Sequence, residues 1–216
     1  MNSTTMPRNV TFDDLVRLTA ELDPSRRVIV GIAGAPASGK STLAERLVSR
    51  LNEAAAGCAA LLPMDGYHYD DGILIERGLR TRKGAPETFD VFGLLHTLDR
   101  LKRNQEDEIA VPVFDRGLEI SRAGARLISR AVRVLIVEGN YVLLNQQPWS
   151  RLYAMFDITV AVDAPEDILR RRLVERWRGY GFTPAEIEAK VEGNDLPNGR
   201  NVMLNSKPAS FILGVE

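Results

Sequence analysis

The chain has 216 residues, of which 44% are hydrophobic and 26% are charged, and its 28 basic and 29 acidic residues leave a formal net charge of −1. These values exclude a disordered chain, an acidic tail and a broadly basic nucleic-acid-binding protein, and they predict a single domain over residues 1–216. Cys58 is the only cysteine, and the N-terminus shows no secretory signal and the chain no membrane-spanning run. We therefore expect a cytoplasmic protein without membrane insertion.

In the first half of the chain, predicted helices and strands alternate. A capping box at Thr11–Asp14 begins a helix that ends near Asp23, within an N-terminal helical extension over residues 1–25. Two apolar runs, 28–33 and 58–64, are typical of buried strands, and a helix over about 39–56 is predicted between them. Residues 65–89 are polar and have no clear periodicity, which indicates a functional or disordered loop, and a helix is predicted over about 90–103.

The second half continues the alternation. Strands are predicted at 109–114, 126–128, 132–137, 156–162 and 209–214, and a helix is predicted near 147–154. Pro165 begins a helical segment over 165–179, and a capping box at Thr183–Glu186 begins a helix that runs to about Glu192. This order predicts an α/β fold with a doubly wound, mostly parallel sheet that is covered by helices on both faces.

One motif predicts nucleotide binding. Residues 34–41 match the pattern G-x-x-x-x-G-K-[ST], and a buried strand precedes them and a helix follows, as in the P-loop NTPase fold. Glycines let the backbone N–H groups face an anion at the N-terminus of that helix. Lys40 is expected to reach the β- and γ-phosphates of ATP, and the Ser41 hydroxyl to bind Mg²⁺. The predicted nucleotide-binding residues are Gly34, Ala35, Ala37, Ser38, Gly39, Lys40, Ser41 and Thr42.

Two acidic residues follow predicted strands and are expected near the phosphates, because ligands bind at the carboxyl ends of strands in open α/β sheets. Asp65 follows the run 58–64, and Glu138 follows the run 132–137. A carboxylate at Asp65 is predicted to accept a proton from an attacking hydroxyl group. Glu138 is predicted to hold Mg²⁺ directly or through water. The alternative for each is a loop cap or a surface acid.

Arginines make up 23 of the 28 basic residues, and five of them lie in residues 170–178. Such a run is ordinarily a solvated face of a helix. Beside a phosphate-binding loop, we instead predict a helical lid over about 165–193 whose arginines close over ATP. Arg172 and Arg176 are four residues apart, so they share one face of the helix and are the predicted catalytic arginines.

Five segments occur in an order that resembles one family. They are residues 34–41, MDGYH at 64–68, RKGAPETFD at 82–90, VPVFDR at 111–116 and VEGNY at 137–141. Over about residues 26–215 the chain resembles the P-loop kinases of the phosphoribulokinase, uridine kinase and bacterial pantothenate kinase group. Its length and the segment 194–199 (NDLPNG) are similar to small bacterial proteins labelled as fructose transport system kinases.

The resemblance implies transfer of the γ-phosphate of ATP to a hydroxyl group of a small metabolite, such as a sugar, a nucleoside or a pantothenate-like alcohol. It implies Asp65 as the base, Lys40 as a catalytic residue, and Ser41 and Glu138 at Mg²⁺. Arg116 departs from the family, since a histidine is expected near that position. The predicted acceptor-binding residues are Tyr67, His68, Arg82, Lys83, Phe114, Arg116 and Tyr141.

Two other functions remain open. One is a P-loop ATPase that switches a partner protein, and the other is a nucleotide kinase with a phosphate acceptor. Asp65 favours a hydroxyl acceptor, because a phosphate acceptor needs no general base. We expect no nucleic-acid partner, and we leave a homodimer open.

Overall fold

The computed structural model describes residues 7–23 and 25–214. Its helices are α1 (Phe12–Ala20), α2 (Lys40–Ala54), α3 (Asp71–Glu76), α4 (Val91–Arg103), α5 (Glu166–Gly179), α6 (Pro184–Lys190) and α7 (Leu196–Asn205). Its strands are β1 (Arg8–Asn9), β2 (Val28–Gly34), β3 (Ala59–Pro63), β4 (Glu108–Asp115), β5 (Ile120–Ser129), β6 (Val134–Glu138), β7 (Ile158–Asp163) and β8 (Phe211–Gly214). None of the described helices is long and apolar enough to cross a membrane.

Six of the strands form one parallel sheet in the order β1-β8-β7-β2-β6-β3. The central strand β2 is buried along its whole length. Its side chains alternate between two cores: Ile29 and Ala33 pack on one face of the sheet, whereas Val30 and Ile32 pack on the other. Helices α1 and α2 supply the second core, and α4 supplies the first. The predicted parallel sheet with helices on both faces is therefore confirmed.

Both predicted capping boxes are present, at Thr11 with Asp14 and at Thr183 with Glu186. Each hydroxyl accepts a hydrogen bond from the N–H three residues on, while the acidic side chain accepts one from the cap residue's N–H. These contacts satisfy donors that the first turn of a helix leaves unpaired, which is why the helices begin at those residues.

The strands predicted at 109–114 and 126–128 and the helix predicted near 147–154 are present, but the local structure departs from the predictions in four details. The strands predicted at 109–114 and 126–128 belong to β4 and β5, which form a separate antiparallel pair outside the parallel sheet. The predicted loop 65–89 contains α3, and α7 follows a π-helical turn at Val191–Asp195 where no helix was predicted. The segment near 147–154 is a 3-10 helix over Trp149–Met155; Trp149 and Leu152, three residues apart, are both buried, and that spacing places them on one side of a 3-10 helix.

The sheet places three chain segments at one edge. Glu138, the last residue of β6, pairs in register with Ile32 of β2 and with Pro63 of β3. The glycine-rich loop after β2 and the turn that carries Asp65 after β3 therefore flank Glu138. The candidate site lies at this carboxyl edge of the sheet, as is usual for ligands of open α/β sheets.

Candidate active site

The loop from Gly34 to Lys40 is a cradle of backbone N–H groups at the start of α2. Ala37 and Gly39 have φ values of 64° and 93°, in the left-handed region, so the chain curls back on itself. A Cβ at Gly34 would lie 2.5 Å from the Ser38 Oγ, so glycine is required there. Ser38 is buried, and its Oγ has no hydrogen-bond partner among the described residues. This conformation fits the phosphate chain of a nucleotide.

Ser41 and Glu138 form an oxygen pair beside the cradle. The Ser41 Oγ donates a hydrogen bond of 3.1 Å to the Glu138 Oε2. Glu138 is only 5% exposed. Burial raises the pKa of Glu138, although the Lys40 ammonium opposes this shift, and burial lowers the pKa of Lys40, which Glu138 and Asp65 oppose.

This donor set fits Mg²⁺, which prefers oxygen ligands and keeps several waters and phosphate oxygens in its coordination sphere. Over residues 7–23 and 25–214 there is no cluster of three or more His, Cys, Asp or Glu side chains that would bind a metal without such help. Ser41 and Glu138 are therefore the residues that would hold the ion, with the nucleotide supplying further ligands.

Asp65 lies in the 3-10 turn Met64–Tyr67 that follows β3. Its Oδ2 accepts a hydrogen bond of 2.6 Å from the Arg116 Nη2, across 51 residues of chain. Burial alone would raise the pKa of Asp65, but His68, Arg116 and Lys40 together hold that pKa below its ordinary value. The carboxylate is thus ionised and lies in the field of Lys40.

A glycine allows the hairpin β4–β5 to approach this turn. A Cβ at Gly66 would lie 2.5 Å from the backbone oxygen of Pro112 in β4. The close packing of β4 on the turn brings Arg116, just beyond the end of β4, to Asp65.

Four of the predicted acceptor-binding residues contact other protein groups; they are His68, Phe114, Arg82 and Lys83. The His68 ring lies 4.0 Å from Phe89 and 4.7 Å from Phe114, and burial lowers the pKa of His68. The Lys83 Nζ donates a 2.7 Å hydrogen bond to Asp71, and the Arg82 Nε lies 3.7 Å from a Glu87 oxygen. Phe114 also lies beneath the cations of Lys83 and Arg116.

The two predicted tyrosines occupy the interior. Tyr67 is buried in the core, where burial raises its pKa to about 12. Tyr141 is also buried, and its hydroxyl donates a hydrogen bond of 2.7 Å to the Gly84 backbone oxygen. Their contacts here are structural, and contact with an acceptor stays a prediction for both.

Helix α5 turns one of its faces toward the phosphate cradle. The Arg172 Nη1 donates a hydrogen bond of 3.4 Å to the Ala37 backbone oxygen. Arg176 is exposed, and partial desolvation together with the nearby charge of Arg116 lowers its pKa. Arg170 faces elsewhere and pairs with Glu192. The structure therefore brings Arg172 and Arg176 to the predicted site, as their four-residue spacing indicates.

Sequence reasoning did not assign the π-helical turn Val191–Asp195 to the site. The Asn194 Nδ2 donates a hydrogen bond of 3.1 Å to the Lys83 backbone oxygen, and Asp195 accepts one of 2.7 Å from the Trp177 Nε1. A Cβ at Gly199 would lie 3.3 Å from the Ala35 Cβ. The π-helical turn therefore contacts Lys83 and Trp177 of α5, while Gly199 of α7 lies against the cradle. The unusual run 194–199 was the only sign of these contacts in the sequence.

Comparison with known proteins places this arrangement among nucleotide-dependent kinases. The crystal structure of a "putative fructose transport system kinase" from Silicibacter sp. TM1040 is 38% identical, covers 94% of this chain and 99% of its own, and has a TM-score of 0.87. A "Putative uridine kinase" of Schizosaccharomyces pombe is 34% identical over 94% of this chain and 90% of its own length. The uncharacterized protein YggC of Escherichia coli K12 is 35% identical over 89% of this chain and 79% of its own length. No protein-family model matches the chain.

Proposed function

We propose that this chain, which belongs to the P-loop kinases of the phosphoribulokinase, uridine kinase and bacterial pantothenate kinase group, transfers the γ-phosphate of ATP to a hydroxyl group of a small metabolite. One observation carries the proposal. Glu138 pairs in register with Pro63 of β3 and accepts a hydrogen bond from Ser41 of α2, so the turn that carries Asp65 and the helix start that carries Lys40 flank the same carboxylate.

Each group has a defined task in the proposed reaction. The acceptor oxygen attacks the γ-phosphorus, a new O–P bond forms, and the bond between that phosphorus and the bridging β-oxygen breaks to release ADP. The hydroxyl proton passes to the Asp65 carboxylate, which is ionised because its pKa is held low. Positioning and charge supply most of the rate gain in such reactions.

The other groups stabilise charge. The cradle N–H groups and Lys40 hold the phosphates, while Arg172 and Arg176 approach from the lid. Ser41 and Glu138 would hold Mg²⁺, which when bound would neutralise phosphate charge. His68 and Phe114 form the aromatic wall of the acceptor side, next to Arg116.

The test is incubation of the full chain with Mg·ATP and a panel of sugars, nucleosides, hydroxy acids and nucleoside monophosphates. Mass spectrometry would detect a product heavier by one phosphate, with Lys40→Ala as the control that loses it. Phosphorylation only of nucleoside monophosphates at their phosphate would show a nucleotide kinase. Steady loss of ATP without a phosphorylated acceptor would favour the ATPase switch and overturn the proposal.

A further inference from the structure

Arg116 contacts the proposed base from a tight turn. It lies between the end of β4 at Asp115 and the start of β5 at Ile120. Its side chain is 53% exposed, and Nη2 is the only one of its nitrogens with a hydrogen bond among the described residues. The remaining guanidinium donors are therefore available to a ligand on the acceptor side.

The neighbouring cations each have a carboxylate of their own. Lys83 pairs with Asp71 at 2.7 Å, and Arg82 lies near Glu87 at 3.7 Å. On the same hairpin as Arg116, the Arg122 Nε lies 3.3 Å from an Asp115 oxygen.

Arg116 differs because its carboxylate partner is Asp65 itself. The pairing opposes the proposed reaction, since the guanidinium occupies one oxygen of the group that must accept a proton. The positive charge of Arg116 also acts unfavourably on Lys40 and Arg176. A competing anion would therefore draw Arg116 from Asp65 and free the base.

We propose that the acceptor carries an anionic group, a carboxylate or a phosphate, in addition to the hydroxyl group that is phosphorylated, and that Arg116 leaves Asp65 to bind this anion. The inference rests on the proposed kinase function. Because one guanidinium reaches both positions, the anion lies only a few bonds from the reacting hydroxyl, as in a short hydroxy acid or a sugar phosphate. The planar fork of arginine suits both kinds of anion, since it can form two parallel hydrogen bonds to either.

The experiment compares matched acceptors that differ in charge. One arm uses a short hydroxy acid and its neutral amide, and the other uses a sugar phosphate and the free sugar. Wild type and Arg116→Gln are assayed as full chains by ADP release at saturating Mg·ATP. Arg122→Gln is the control on the same hairpin, because it removes a cation whose partner is Asp115. Unchanged thermal unfolding would show that the variants are folded.

We expect wild type to favour the anionic member of at least one pair by about 10- to 100-fold in kcat/KM, the scale of a hydrogen bond to a charged group. Arg116→Gln should lose most of that preference, and its activity with the neutral member should rise because Asp65 is freed. Arg122→Gln should keep the preference. The arm that responds identifies the anion as carboxylate or phosphate.

Three outcomes separate failure of this inference from failure of the kinase proposal. Equal use of charged and neutral acceptors by wild type would overturn the inference alone. If Arg116→Gln lowered kcat/KM equally for the charged and the neutral acceptor, this would also overturn the inference alone, because Arg116 would then act on ATP. Absence of phosphate transfer to every acceptor would overturn the kinase proposal and this inference together.

Discussion

The Ser41 hydroxyl donates a hydrogen bond of 3.1 Å to the Glu138 carboxylate, which lies 97 residues further along the chain. The contact joins the first turn of α2 to the end of β6. It exists because β2 and β6 are parallel neighbours, so the residues that follow β2 meet the last residue of β6 at one sheet edge. The predicted magnesium-binding residues are therefore already adjacent to each other.

Replacement of Lys40 by Ala is expected to abolish phosphate transfer. Glu138 and Asp65 both favour the charged form of the Lys40 ammonium, which would supply positive charge where phosphate oxygens bind. We expect kcat to fall by at least about 100-fold, measured as ADP release. Lys102→Ala is the matched control, since Lys102 contacts the backbone oxygens of Ala154 and Met155. Retained turnover in folded Lys40→Ala would remove the glycine-rich loop from the mechanism.

Asp65→Asn should lower phosphate transfer by about 100-fold or more, because an amide cannot accept the hydroxyl proton. Binding of ATP, measured by calorimetry, should change little. Asp99→Asn is a suitable control, since Asp99 pairs with Arg103 on the surface of α4. Normal transfer by Asp65→Asn would show that another group is the base.

The pH dependence of kcat/KM follows from the lowered pKa of Asp65. His68, Arg116 and Lys40 favour its ionised form, so the base stays ionised until the pH falls through that lowered pKa. We therefore expect no loss of rate from Asp65 between about pH 5 and pH 8. The ionised form also stabilises the fold above the unfolded-state pKa, and this contribution is lost as the pH falls. An acid limb near neutrality that disappears in Asp65→Asn would contradict this assignment.

Arg172→Ala and Arg176→Ala should each reduce kcat by about 100-fold, the scale of one lost donor in a transition state. The Kd for ATP should change much less. Arg170→Ala is the control from the same helix, because Arg170 pairs with Glu192 and faces away from the cradle. An unchanged kcat would show that the two arginines add charge to the protein surface and take no part in catalysis.

Arg27→Met should destabilise the fold without involving the active site. Arg27 is 3% exposed and donates hydrogen bonds to the backbone oxygens of Val132, Leu101 and Ser129. Its loss removes three hydrogen bonds, although the Ser129 oxygen still accepts one from the Val132 N–H, so the free energy of unfolding should fall by about 3 kcal/mol. Urea unfolding measures the loss. The exposed neighbour Arg133, replaced by Met, should change stability by less than about 0.5 kcal/mol.

Local features were readily predicted from the sequence. The cradle from Gly34 to Lys40 depends on glycines, a preceding strand and a following helix that are contiguous in the chain. The capping boxes at Thr11 and Thr183 depend on contacts three residues apart. The buried strands have continuous apolar runs because helices cover both faces of the sheet.

Structure without a strong periodic pattern was harder to predict. Strand β5 is largely exposed, so it has no clear apolar alternation, and its pairing with β4 as a separate hairpin was missed. Helix α3 is only six residues long, too short for its period to be seen in a polar segment.

The partners of the site's charged groups depend on contacts between distant segments. The sequence placed Asp65 and Glu138 at the ends of strands and Lys40 at the start of a helix, and the parallel sheet brought the three segments together. The pairing of Arg116 with Asp65 also depends on the hairpin β4–β5, which packs on the turn at Gly66. The absence of a Cβ at Gly66 permits this close approach. A site formed by residues that are neighbours in the sequence can be predicted from the sequence. A charge pair across 51 residues exists only because packing brings its two segments together.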